Sequence, residues 1–276
     1  MWHYDPAVTP YCGAPSSPGT LWFRWNLDPA LIAGLVALAC LYAIGAVRLN
    51  RGKRRLGRGE QTAFWAGWAV VAAALISPLC PLSVSLFAAR IGQHMILELV
   101  AAPLVAAGNP VAVFAGAFGR TDARRPPARG MPLTATAVFA ALLWFWHAPV
   151  AYAATFSSTG VYWAMHLSLF GASLWLWSTL LDRFSRHPVA VLLGSVISSV
   201  QMGFLGALIT FAPRPLYAPH ALTTGLWGFT QLQDQQLGGA IMWVPGCVVF
   251  LAVAMIALWR ALERSDWADP VASRAP

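Results

Sequence analysis

Charge is scarce in this chain. Asp, Glu, Lys and Arg make up 10% of its 276 residues, against roughly 25% in an ordinary soluble domain. Lysine is nearly missing, since Lys53 is the single one among 18 basic residues. No Cys-x-x-Cys occurs, so neither a dithiol redox pair nor a zinc site of that type is signalled. Cys-x-x-Cys-His, the mark of covalent haem attachment, is absent as well. So are Gly-x-Ser-x-Gly and His-Glu-x-x-His, which removes the usual hydrolase signatures and points to a non-enzymatic protein. The opening MWHYDPAVTPYCGAPSSPGT has no basic n-region and no apolar h-region, so a cleavable signal peptide is not expected. The first apolar run is expected to act as an uncleaved membrane signal.

What the chain has instead is apolar sequence. Hydrophobic residues make up 58% and the mean hydropathy is +0.60. A spanning helix needs about 20 apolar residues, and seven runs qualify: about 29–48, 62–82, 86–108, 132–152, 159–181, 188–212 and 237–260. The predicted fold is an all-α integral membrane bundle of seven transmembrane helices. Residues 111–118 are too short to span and are expected to form a bent continuation or an interfacial turn. The longest outer loop is expected over 213–236, and 14 Trp suit a protein with interfacial anchors.

The net charge of +8 does not point to nucleic acid, because the basic residues sit in short loops between apolar runs. Arg48, Arg51, Lys53, Arg54, Arg55 and Arg58 share one loop; Arg120, Arg124, Arg125 and Arg129 share another. Arg183 and Arg186 follow span five, and Arg260, Arg264 and Arg274 follow span seven. Only Arg24, Arg90 and Arg214 fall on the other side. Positive loops stay inside, so the N-terminus is expected outside and the C-terminus in the cytoplasm. The division is then an extracytoplasmic segment 1–28, a membrane domain 29–261 and a cytoplasmic tail 262–276. Cys40 and Cys247 read as small core residues. Cys12 and Cys80 both fall on the outer side, where a disulfide between them is one open reading.

The third run carries ionisable groups. In RIGQHMILELVAAPLVAAGNP, Arg90, His94 and Glu98 recur at i, i+4 and i+8, which places them on one helix face. Such groups are expensive in hydrocarbon and mark function or protein interior. The topology puts His94 about two turns below the outer surface, His147 near the outer end of span four, and His166 about two turns into span five. Asp234 lies at the mouth of span seven, where it could cap that helix, and Met242 lies shallowly inside it. Three helices thus each place one His in the outer half. Imidazole with thioether suits copper; imidazole alone also suits zinc or haem iron. Against this stands the plainer reading of bundle residues that hydrogen-bond across helices. Glu98 could pair with Arg90 or His94, or move a proton. His220 lies on the outer loop and could join the site. Pro78, Pro81, Pro103, Pro149 and Pro245 can kink spans, and Gly171, Gly206, Gly238 and Gly239 allow close helix approach.

Three segments together, QHMILELVAAPLVAAGNP, LLWFWHAPVAY with MHLSLFGASLWLW, and DQQLGGAIMWVPG, resemble the polytopic CtaG-type family of cytochrome c oxidase assembly factors over about residues 30–260. The resemblance implies a multi-pass protein of the bacterial inner (plasma) membrane that helps build a haem–copper oxidase. Its partners would be cytochrome c oxidase subunits or other oxidase assembly factors, with the lipid bilayer around it and no nucleic acid. The motif match carries over His94, His147, His166, Asp234, Gln235 and Met242. The candidate copper site is His94, His147 and His166 with Met242, supported by Glu98, Asp234, Gln235 and Arg90. The chain departs from the family's usual His-Met-x-x-His, having Arg90 and Ile91 at the first two positions, which would remove a ligand. Two other functions fit parts of the pattern: a transporter for copper or another cation, and a membrane haem-binding redox protein.

Overall fold

The structure, a computed structural model, describes residues 9–52, 55–120, 132–183 and 187–266. His3, Lys53, Arg54, Arg124, Arg125, Arg129, Arg186 and Arg274 lie outside the described residues. The described residues form helices and no strand. In chain order the helices are α1 (Pro29–Arg51), α2 (Arg58–Ile76), α3 (Leu79–Ser85), α4 (Phe87–Met95), α5 (Ala102–Ala107), α6 (Pro110–Ala117), α7 (Pro132–His147), α8 (Pro149–Ser157), α9 (Thr159–Arg183), α10 (Pro188–Thr210) and α11 (Gln231–Asp266). A π-helical turn, Ile96–Ala101, joins α4 to α5.

Four of these helices are long and apolar enough to cross a membrane, and up to seven spans result if each bent pair counts as one. The bends fall where proline interrupts the i→i−4 ladder. α2 and α3 meet at 49° beside Pro78, the α4–α5 stretch and α6 at 55° beside Pro110, and α7 and α8 at 71° beside Pro149. The expected runs 62–82 and 132–152 are therefore broken helices. Residues 110–117 are a bent helical continuation, with Asn109 in the left-handed region at φ 53° to make the corner. The last run is longer than its hydropathy predicts: α11 starts at Gln231, so the loop after α10 ends at residue 230.

Helix contact is set by small residues. α11 packs along α10 and against α4. A Cβ on Gly206 would stand 2.8 Å from the Trp243 Cβ, and one on Gly239 would overlap the Thr210 hydroxyl. Gly171 does not act this way, since a Cβ there meets nothing; the approach expected of it belongs to other positions.

The end of the bundle that carries Cys12 and Cys80 is tied together covalently and by hydrogen bonds. Cys12 and Cys80 form a disulfide with 5.4 Å between Cα atoms. Asp28 caps α1 through the Ala30 amide at 2.9 Å and accepts from the Tyr11 hydroxyl at 2.5 Å. That hydroxyl holds the half-buried Asp28 carboxyl below its ordinary range, and burial followed by the same bond pushes the Tyr11 phenol up. Thr223 donates to the Ser85 carbonyl at 2.6 Å and the Trp227 indole to the Ser16 carbonyl at 3.1 Å. The loop 213–230 is thereby drawn down onto the start of α4.

Candidate functional site

α4 starts at a buried, extended Leu86, so its first amides need an acceptor from elsewhere. Asp234 supplies it. Its carboxylate accepts from the Phe87 amide at 2.7 Å and the Ala88 amide at 3.0 Å. Asp234 thus caps α4, a helix 147 residues away in sequence, and not its own helix as its position near the start of α11 predicts. Gly238, one turn on, clears the way: a Cβ there would overlap the Phe87 ring. Gln235 does the neighbouring job. Its amide oxygen accepts from the Leu216 amide at 2.6 Å and its amide nitrogen donates to the Ile209 carbonyl at 3.1 Å. The DQQLGG segment is a clamp that sets α4, α10 and the loop 213–230 against α11.

The clamp fixes the depth of Arg90 and His94, one turn apart on α4. Arg90 is 1% exposed, and its Nε and Nη1 have no hydrogen-bond partner. Its guanidinium lies 4.4 Å from the Phe156 ring centroid, 5.4 Å from Tyr162 and 5.5 Å from Tyr152. Ring faces attract a cation, and here α8 and α9 provide three of them.

Glu98 follows in the π-helical turn. Pro103 has no N–H to return to the turn before it, and the ladder widens there. The Glu98 carbonyl left over accepts from the Ser173 hydroxyl at 3.0 Å and the Trp177 indole at 2.8 Å, both from α9. Its carboxyl oxygens are buried and have no partner. The pairing with Arg90 or His94 open to it in the sequence is not made.

The imidazoles divide. His94 and His166 are brought together, their ring centroids 5.1 Å apart and edge to face. Neither nitrogen of His94 has a partner. His166 Nδ1 faces the Tyr162 carbonyl at 3.1 Å and its Nε2 is unpartnered. A carbonyl only accepts, so Nδ1 carries the proton and Nε2 presents its lone pair. His147 uses the same device, with Nδ1 at 2.7 Å from the Leu143 carbonyl, and lies within electrostatic reach of His94. Metal-ligating imidazoles are held in this manner. No three His, Cys, Asp or Glu side chains among the described residues converge as a metal-holding group. Met242 is fully buried in the central apolar cluster with Met95, Met165 and Met202, and among the described residues it makes no hydrogen bond to an imidazole. A cleft of about 430 Å³ between α1, α2 and α9 has Asp28 and His166 as its only ionisable lining residues.

His220 belongs to this region, although the sequence places it in a loop. It is 1% exposed, and its Nε2 is 2.6 Å from the Tyr152 hydroxyl. The sequence gives it weak signal because a loop residue's depth depends on how the loop folds back. The aromatic cage is signalled better: Tyr152 and Phe156, like Tyr162 and His166, are spaced i, i+4, and an arginine at depth calls for ring faces when no acid is near.

Burial, and after it the Arg90 charge, push the His220 imidazole down to about 3. An exposed histidine titrates near 6.5. Between those values the open loop takes a proton and the closed loop does not. Closure is therefore fully favoured above pH 6.5 and weakens as pH falls, by at most about 1.4 kcal/mol per pH unit. Amide exchange over 213–230, corrected for intrinsic rates, should be faster at pH 5 than at pH 7. His220→Gln should remove the difference; an equal pH response in that variant would assign it elsewhere.

The family model described as cytochrome c oxidase caa3 assembly factor matches residues 40–264. The chain belongs to that family. The matched span takes in the α4 imidazole, the α9 imidazole and the whole DQQLGG clamp. No curated protein and no solved structure matches the chain. In this member of the assembly-factor family, Asp234 and Gln235 act on backbone groups of α4, α10 and the loop 213–230, and His94 and His166 are left with free nitrogens.

Proposed function

We propose that this assembly factor is a seven-span protein of the bacterial inner membrane, each bent helix pair forming one span, with its N-terminus outside and its C-terminus in the cytoplasm. It serves a haem–copper oxidase without catalysing a reaction of its own, by binding oxidase subunits or other assembly factors. Its cargo is copper(I), taken by His94 and His166; His147 does not converge with them and would have to move to join as a third imidazole. The adjacency of the His94 and His166 rings, with unpartnered nitrogens on both, carries this reading. Imidazole suits copper, and the lone pair of His166 Nε2 is already set by the Tyr162 carbonyl. Two or three neutral ligands beside a fixed guanidinium favour weak, exchangeable binding, which suits handover. Met242 is the thioether a transient third or fourth contact would use.

The other functions fit less well. A transported cation would have to pass Arg90, which repels it. Axial haem ligation needs the two imidazoles on opposite sides of a porphyrin, and rings 5.1 Å apart leave no room for one.

Metal content of the detergent-purified protein after loading with copper(I) tests the proposal. Wild type should hold close to one copper per chain, and His94→Ala and His166→Ala should each lose at least tenfold in affinity. His147→Ala should lose less. A wild type without copper, or variants that keep it, would leave the protein acting on the oxidase by contact alone.

A further inference from the structure

We infer that Arg90 holds a small inorganic monoanion, of halide size, beside the rings that α8 and α9 set against α4. The guanidinium is always charged, is 1% exposed, and has no partner for Nε or Nη1. A buried ion of this kind is stable only when paired and hydrogen-bonded. The three surrounding rings offset part of the desolvation but accept no N–H hydrogen bond of ordinary strength. The acidic groups close to α4 are otherwise placed. Both oxygens of Asp234 are taken by the Phe87 and Ala88 amides, and those of Glu98 make no hydrogen bond. The Tyr152 hydroxyl is shared between His220 and the Arg90 guanidinium, and as a neutral group it offsets no charge.

Among the described residues no carboxylate pairs with Arg90, and the complement we assign to it is an anion from outside the chain. One guanidinium sets one charge. The ring centroids of Phe156, Tyr162 and Tyr152 stand 4.4, 5.4 and 5.5 Å from the guanidinium carbon, too close for an organic body to lie between. His94, one turn along α4 with both nitrogens free, offers the ion a second N–H. The inference does not rest on copper: the ion compensates Arg90 whether or not a metal is ever taken by His94 and His166.

The test uses the metal-free full chain in detergent, with sodium chloride exchanged stepwise for sodium gluconate at constant ionic strength. The wild-type melting midpoint should rise with chloride and saturate, and bromide should replace chloride. Arg90→Gln should not respond. A wild-type midpoint indifferent to halide, or the same rise in Arg90→Gln, overturns the inference. Should Arg90→Gln fail to fold, crystals of the wild type grown in bromide decide: an anomalous peak within hydrogen-bonding distance of Arg90 supports the ion, and its absence there means that Arg90 is merely hydrated. Copper content measured on the same preparation is a separate readout, so either proposal can fail alone.

Discussion

Removing the Cys12–Cys80 bond is expected to lower stability by about 4 kcal/mol, the largest single effect foreseen here. The bond closes a loop with a sequence separation of 68, and the chain entropy withheld from the unfolded state by a loop of that size is worth about 4 kcal/mol. The bond also joins the N-terminal segment to α3 above the imidazole pair. The Cys12 sulfur is 3.5 Å from the Tyr162 hydroxyl, and the Tyr162 ring is 4.2 Å from His166. Denaturation of Cys12→Ser, Cys80→Ser and the double variant, beside wild type with and without reductant, measures it. All three variants and reduced wild type should unfold at the same lower denaturant concentration. A double variant as stable as oxidised wild type would mean that helix packing alone holds the segment.

Asp234→Ala should cost about 3 kcal/mol. The carboxylate makes two charge-assisted hydrogen bonds to backbone amides at the positive end of α4, each worth about 1.5–3 kcal/mol in a buried setting. Alanine leaves both amides buried and without their acceptor. Asp234→Asn keeps one acceptor and should lose about half as much. The effect reaches the site, because the same cap sets the depth of Arg90 and His94. Copper binding should fall with stability in Asp234→Ala, although Asp234 touches no imidazole. Thermal unfolding beside copper content checks both. An Asp234→Ala protein with an unchanged midpoint would show that α4 is held by its side-chain packing and not by its cap.

The glycine pair tells the same story from the other side. Gly238→Ala puts a methyl into the Phe87 ring, and overpacking of this kind costs about 1–3 kcal/mol. Gly171→Ala meets nothing and should be close to neutral. Melting midpoints of the two variants should differ accordingly; equal losses would contradict the helix approach described for α11 and α4.

Hydropathy alone placed every long helix, because a run of about 20 apolar residues in lipid has helix as its only way to satisfy the backbone. It could not place the breaks, since a proline in a run ends or merely bends a helix according to what neighbouring helices offer the freed carbonyl. Pro78 and Pro149 end helices. Pro103 widens one, because Ser173 and Trp177 stand ready to bond the Glu98 carbonyl. The start of α11 was hidden for a related reason, as the polar Gln231–Gln236 turn reads as loop and is helical only because it clamps α4 and the loop before it.

Composition and the order of three motifs were sufficient to read the class of this protein, a multi-pass all-α member of an oxidase assembly family, because these are properties of each segment taken separately. Which side chains meet is a property of helix rotation and of loop folding, and half a turn of α9 would have parted His166 from His94. Tertiary packing decided that those two imidazoles pair, that Asp234 serves α4, that His220 is buried, and that Arg90 has three rings around it and, among the described residues, no paired acid. Each of those outcomes depends on contacts between residues far apart in the chain, which no local pattern encodes.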